Sequence, residues 1–260
     1  MSMWPVRRFR DLTLIDSPDG STIVIACDSV GGIGSKSCDT FTTDARAVTH
    51  FAARVPLLEV LAAGAAPTVI VDTLSVEKDP SAIDMIDEIR AMALELGLDP
   101  DVSVTGSTED NVATIATGIG VTVIGIAPAG AFRATRARAG DHVYAVGVPL
   151  SAPQDRLIPG DPRMPGIAEV ALLAGMDGVH ELLPVGSQGI AHEIAQLAQG
   201  LVVTAAGPHR IDRAVTSGPS TCVLVAVAPE AAGTLALRDD LPIELVATLS
   251  TDSPSERHHS

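Results

Sequence analysis

The feature that most constrains the fold is a recurring pattern: a short β-branched run, a turn of small or acidic residues, then a segment with helical spacing. Ser21 to Cys27 (STIVIAC) is such a run, the length of a strand. A glycine-rich turn follows it. Asp44 to Ala63 then reads as a helix stopped by Gly64, with Val48, Ala52, Val55 and Ala62 on the buried face and Pro56 as a kink or a break. Pro67 to Val76 (PTVIVDTLSV) is the next strand. Asp79 as N-cap and Pro80 at the first helical position open another helix, in which Ile83, Ile86, Ile89, Ala93 and Leu96 recur at helical spacing up to Gly97.

Val102 to Thr105 continues the pattern as a strand, followed by an acidic turn. Asn111 to Phe132 carries no charge and is long enough to be weighed as a membrane span. Gly, Thr, Asn and Pro interrupt it and its apolar residues are largely β-branched, so it reads as one or two buried strands. His142 to Gly147 is a strand after the turn Ala139–Asp141, and the Pro-rich stretch Val148 to Gly166 a linker or surface loop. Ile167 to Ala174 and Gly189 to Gln199 read as helices; Leu201 to Thr204, Thr221 to Val227 and Ile243 to Thr248 read as strands. The expected class is α+β in two domains, 1–140 and 141–250, with a polar tail over 251–260.

Composition narrows the partners. The 260 residues include one Trp, one Tyr and four Phe, so Ala, Val, Ile and Leu must build the core. With 17 Lys and Arg against 32 Asp and Glu, the formal charge is −15. A chain without a basic footprint or stacking platforms is not expected to bind nucleic acid. Three cysteines, Cys27, Cys38 and Cys222, fit no zinc spacing and no disulfide framework, which points to a reducing compartment. No apolar run follows Arg7, Arg8 and Arg10, so no secretory signal is visible. A cytoplasmic protein with no membrane partner is the expectation.

Chemistry-bearing residues concentrate in the first half. Asp28-Ser-Val-Gly-Gly-Ile-Gly-Ser-Lys-Ser-Cys-Asp39 follows a strand. Backbone N–H groups around Gly31, Gly32 and Gly34 are candidates for an anion nest, with Lys36 adding a positive charge. It is not a P-loop, because Ser35 precedes Lys36 where Gly is required; the alternative is a turn or Ω-loop that needs glycine. Gly106-Ser107-Thr108-Glu109-Asp110-Asn111 sets two carboxylates beside hydroxyl and amide oxygens, a donor set for Mg²⁺ or simply a solvated acidic turn. Glu59 and Asp72 interrupt apolar runs. Each must be paired, with Arg46, Arg54 or Lys78, or hold a cation. In the second half, Pro184-Val-Gly-Ser-Gln-Gly-Ile190 leads into a helix carrying His192 and Glu193, and Ser217-Gly-Pro-Ser-Thr221 is a second small-residue turn. His192 reads as an exposed helix residue. No nucleophile elbow supports a covalent mechanism.

The order of these segments is informative. A strand with Asp before a Gly-rich loop, then LLEVLAAGAAP, TGSTEDN and AGDHVYAVG, resembles the aminoimidazole ribonucleotide synthetase superfamily over about residues 20 to 250. That superfamily includes thiamine-monophosphate kinase, selenophosphate synthetase and a hydrogenase maturation factor. DSVGGIGSKSCD, TGSTEDN, PVGSQGI and SGPST are most similar to the branch related to α-ribazole kinase. The resemblance implies an N-terminal domain that dimerises by joining strands into a barrel, a C-terminal α+β domain, and MgATP bound in a cleft between them. It implies metal or phosphate-site roles for Asp28, Glu59, Asp72, Glu109 and Asp110, and nucleotide contacts from Gly31, Gly32, Gly34, Lys36, Gly106, Ser107 and Thr108. Ser187, Gln188, Gly189, Ser217, Gly218 and Ser220 fall to the acceptor. Ser107 stands where the family usually has Asp, and Gln188 where the thiamine kinases have Asp. Glu193 and His192 are the candidates for a general base. The expected activity is ATP- and Mg²⁺-dependent phosphorylation of α-ribazole. A ligase or dehydratase, or a non-catalytic nucleotide-binding homologue, is the alternative.

Overall fold

A computed structural model of the chain describes residues 4–133, 135–207, 210–235, 237 and 239–251. The expected polar tail lies, apart from Thr251, outside the described residues. The chain divides into two compact units. One runs to Phe132 and takes in Arg156–Pro159; the other comprises Arg133–Asp155 and the chain from Gly160 onward.

The first unit holds β1 (Val6–Phe9), β2 (Leu12–Asp16), β3 (Thr22–Gly31), the two-residue strands β4 (Ile33–Gly34) and β5 (Phe41–Thr42), α1 (Ala45–Ala62), β6 (Ala66–Leu74), α2 (Ile83–Glu95), the single turn α3 (Pro100–Ser103), β7 (Val104–Thr108) and β8 (Gly118–Ala127). Six strands form one sheet in the order β1-β2-β3-β8-β6-β7, antiparallel except for β6 and β7. Period-2 alternation drives it. Leu14, Val24, Ala26, Ile70, Val121 and Val123 are buried, while the alternating Ile23, Ile25, Val69, Val71 and Ile124 stay half-exposed. Helix α1 packs against β3, β8 and β6.

Asp44 caps α1 by accepting the Ala47 N–H at 2.9 Å, as its position suggests. The helix continues through Pro56. Asp79 does not cap α2. It is extended, as the residue before a proline tends to be, and a wide helical turn over Lys78–Ala82 intervenes before the helix begins at Ile83. The uncharged segment yields one strand, β8, and among the described residues no helix is long and apolar enough to cross a membrane.

The second unit is built on a five-stranded antiparallel sheet ordered β10-β12-β9-β13-β11: β9 (His142–Val146), β10 (Val179–Pro184), β11 (Val202–Ala205), β12 (Val223–Val227) and β13 (Ile243–Ser250). Its α-helices are α4 (Ile167–Gly175) and α5 (Gly189–Leu197), and a 3-10 helix spans Pro229–Leu235. Ile190, Ile194 and Leu197 of α5 share one core with Val143, Ala145, Leu224, Ala226 and Val246.

Strand β10 is not evident from sequence, because it carries a charge into the core. Glu181 is fully buried and accepts the N–H groups of Arg136 and Ala137 at 2.9 and 3.0 Å, pinning the segment that opens this unit. Glu181→Ala leaves both donors without that acceptor. It is expected to cost about 3 kcal/mol in denaturant unfolding; a loss no larger than that of a surface substitution would show that the pin is dispensable.

Candidate functional site

Strand β8 lies between β3 and β6, and its two registers place four residues in one row. Asp28 pairs with Val121, Val121 with Asp72, and Asp72 with Gly106 of β7. Neighbouring strands are about 4.8 Å apart, so the Asp28 and Asp72 backbones stand about 10 Å apart across Val121. Both carboxylates lie on the helix-covered face with Ala26 and Ile70. The sequence places Asp28 at a strand's end; β3 instead runs on to Gly31 and keeps it within the sheet.

Asp72 is the unusual group. It is 4% exposed, and among the described residues no hydrogen-bond donor reaches its carboxylate. None of Arg46, Arg54 and Lys78 pairs with it. Burial alone pushes its pKa up to about 6. Burial likewise raises that of Asp28, against a smaller opposing effect of the Ser29 N–H. Gly106 makes room for this arrangement: a Cβ there would sit 1.7 Å from Asp72 Oδ1 and 2.2 Å from the Asp72 carbonyl oxygen. Its missing side chain admits Asp72, whereas the resemblance implies a nucleotide contact at Gly106.

The glycine loop is not an open nest. The Gly32 N–H donates to Thr117 O at 2.9 Å, Gly31 is paired within β3, and a Cβ on Gly34 would meet Thr117 Oγ1 at 2.3 Å and Asp39 Oδ2 at 2.8 Å. Asp39 accepts the Lys36 N–H, the Thr117 N–H and the Thr117 hydroxyl at 2.7 to 2.8 Å, and these bonds hold its pKa below the usual carboxylate range. The Lys36 ammonium donates to Glu77 and, at 3.1 Å, to the Thr114 carbonyl. Glu77 also accepts the Thr114 N–H at 2.7 Å. Glu77, Thr114 and Thr117 lie outside any recognisable motif, and Asp39 closes the glycine-rich segment without showing in sequence what it holds.

The five expected metal-site acids do not converge. Among the described residues no three Asp, Glu, His or Cys side chains come together as a metal cage. Glu109 accepts the N–H groups of Asn111 and Val112 within its own turn, and Asp110 accepts the Thr108 hydroxyl and, from the segment after β6, the Lys78 N–H. Glu59 is half-buried on α1 and belongs to no such group among the described residues. Ser107 is exposed on β7, opposite Thr73.

In the second unit Ser187 and Gln188 are exposed just before Gly189 opens α5, and His192 and Glu193 are half-buried on that helix. Ser217 and Ser220 are not surface hydroxyls. Both are buried, and Ser217 Oγ accepts the Cys222 N–H at 3.1 Å and bonds to the Thr221 hydroxyl at 3.0 Å, bracing the turn. Gly218 packs against Ser151 and Leu150. The three cysteines are free thiols.

No protein-family model matches the sequence, and no curated protein sequence matches it. Solved structures do. Thiamine-monophosphate kinase from Stenotrophomonas maltophilia K279a aligns at 16% identity and TM-score 0.62, over 95% of this chain and 89% of that one. T. maritima PurL complexed with ATP aligns at 17% identity and TM-score 0.65, over 96% of this chain and 44% of PurL. Hydrogenase maturation protein HypE in complex with ATP aligns at 16% identity and TM-score 0.62, over 88% and 77%. The chain has the aminoimidazole ribonucleotide synthetase fold. Likeness at this identity establishes architecture alone.

Because Asp72 holds its proton to about pH 6 when folded and to about 4 when unfolded, the folded chain binds the extra proton between those values. The Asp72 contribution to stability is therefore full below about pH 4 and falls as pH rises through 6, with Asp28 adding a slope of the same sign. In thermal melts without divalent cation from pH 4 to 7.5, Asp72→Asn is expected to flatten this decline and to melt above the parent at pH 7. Parallel curves for the two proteins would mean that the carboxylate is hydrated or paired in solution.

Proposed function

We propose that the protein is an ATP- and Mg²⁺-dependent small-molecule kinase, with α-ribazole as first-choice acceptor and α-ribazole 5′-phosphate as product. The observation that carries the reading is Asp72: a buried carboxylate without a described partner, in one row with a second half-buried carboxylate. Such a group costs stability and persists where a cation is to be held. One or two carboxylates, with phosphate oxygens and water completing the shell, is the usual protein contribution to Mg²⁺. Asp28 and Asp72 fit that complement. When bound, Mg²⁺ supplies neutralisation of charge on the phosphate oxygens.

In this reading Asp28 and Asp72 hold the metal and Gly106 keeps the seat of Asp72 open. Lys36 offers the loop's positive charge. ATP is supported by the PurL and HypE structures that carry it, and kinase chemistry by the likeness to thiamine-monophosphate kinase. The nucleoside acceptor rests on DSVGGIGSKSCD, TGSTEDN, PVGSQGI and SGPST. The half-exposed face of the six-stranded sheet, with Ile23, Ile25, Val69, Val71 and Ile124, fits a homodimer through the first unit.

The test is to incubate purified protein with MgATP and a panel containing α-ribazole, thiamine monophosphate and hydroxymethylpyrimidine, and to read the products by mass spectrometry. Phosphate on α-ribazole supports the proposal. Free phosphate with a newly joined or dehydrated product supports a ligase instead, and no ADP with any acceptor supports a binding protein. Asp28→Asn is expected to lower turnover about 100-fold or more with the fold retained; full ATP-dependent activity in this variant would remove Asp28 from the metal site.

A further inference from the structure

The cation of the glycine loop has a carboxylate partner in this structure. Lys36 and Glu77, 14% and 25% exposed, form an ion pair that joins the loop after β3 to the segment after β6. Thr114 completes the knot: its carbonyl accepts from the Lys36 ammonium, and its N–H and hydroxyl donate to Glu77 at 2.7 and 3.3 Å. A lysine ammonium has three N–H donors. Two are engaged here, and the charge of the group is cancelled at the position where a phosphate would need it.

We infer that Glu77 is a positioning residue that holds Lys36 in place until phosphate oxygens of the nucleotide compete for the ammonium. The inference rests on the nucleotide reading above and adds to it a contact that must be exchanged on binding. Carboxylate and phosphate oxygens are alternative acceptors for the same donors, so ligand affinity is reduced by whatever the Lys36–Glu77 pair contributes. Protonation of Glu77 does not release the lysine at ordinary pH. The hydrogen bond from Lys36, with the Thr114 N–H, pulls the Glu77 pKa down to about 2. The trigger is the competing anion. Asp39 plays a separate part, holding the Lys36 backbone N–H and Thr117, so the loop keeps its path when the side chain turns away.

The experiment is calorimetric titration of MgATP into four proteins: the parent, Glu77→Gln, Lys36→Met and the double variant. Gln keeps the shape of Glu77 and an acceptor for Thr114, and thermal melts confirm folding of each protein. Glu77→Gln is expected to bind MgATP about two- to fivefold more tightly than the parent, the range of a partly exposed ion pair. Lys36→Met is expected to bind more weakly, and Glu77→Gln added to it to change nothing further, because Glu77 acts through Lys36. Equal or weaker binding by Glu77→Gln overturns the inference. So does equal tightening in the Lys36→Met background, which would mark Glu77 as a bystander charge. Absence of MgATP binding by the parent itself brings down the nucleotide reading, and this inference with it.

Discussion

The pairing of β8 with both β3 and β6 is the constraint on which the candidate site depends. Asp28 and Asp72 are 44 residues apart in sequence, and no local motif links them. They share a row because each is registered against Val121, and a one-residue slip of either strand would turn its carboxylate to the opposite face. The apolar alternation that fixes those registers, Val24 and Ala26 on one side and Ile70 and Leu74 on the other, therefore also fixes the acids. Structure and site are specified by the same residues.

Around that rigid row the chain is held by side chain to backbone bonds. Asp39 and Glu77 tie the glycine loop to the segment before β8, and Asp110 ties the acidic turn to Lys78. In each case a carboxylate takes up N–H groups that no strand can satisfy. The acidic balance of the chain is in part a consequence: a portion of the surplus carboxylates serves as acceptors for irregular backbone.

Much of the fold was legible in the sequence. The capped start of α1, the strands β3, β6, β9 and β13 and the strand nature of the uncharged segment follow from periodicity, Asp44 and Gly64. The exceptions have physical causes. Strand β10 hides a buried Glu181, and β1 contains Arg7 and Arg8, so neither shows a clean alternation. Asp72 and Glu59 stood out because apolar neighbours flank them, Asp28 because it precedes the glycine-rich turn, and Glu109 and Asp110 because they are paired in an acidic turn. The chain sets Asp28 and Asp72 in one row, keeps Glu59 on α1 and binds Glu109 and Asp110 to backbone N–H groups. Composition and spacing identify acids that need explaining; only the register separates those that share a row from those bonded to irregular backbone. Glu77 was invisible for the same reason, since its partner lies 41 residues away.

Under the proposed function, the mutual cancellation of Lys36 and Glu77 bears on how a nucleotide reaches the protein. The chain as a whole carries a formal surplus of fifteen negative charges, and its one lysine in the glycine loop projects no net field while it remains paired. Capture of such a ligand would draw nothing from long-range attraction and would meet the repulsion of the surplus negative charge, so shielding by dissolved salt would assist the encounter instead of impeding it.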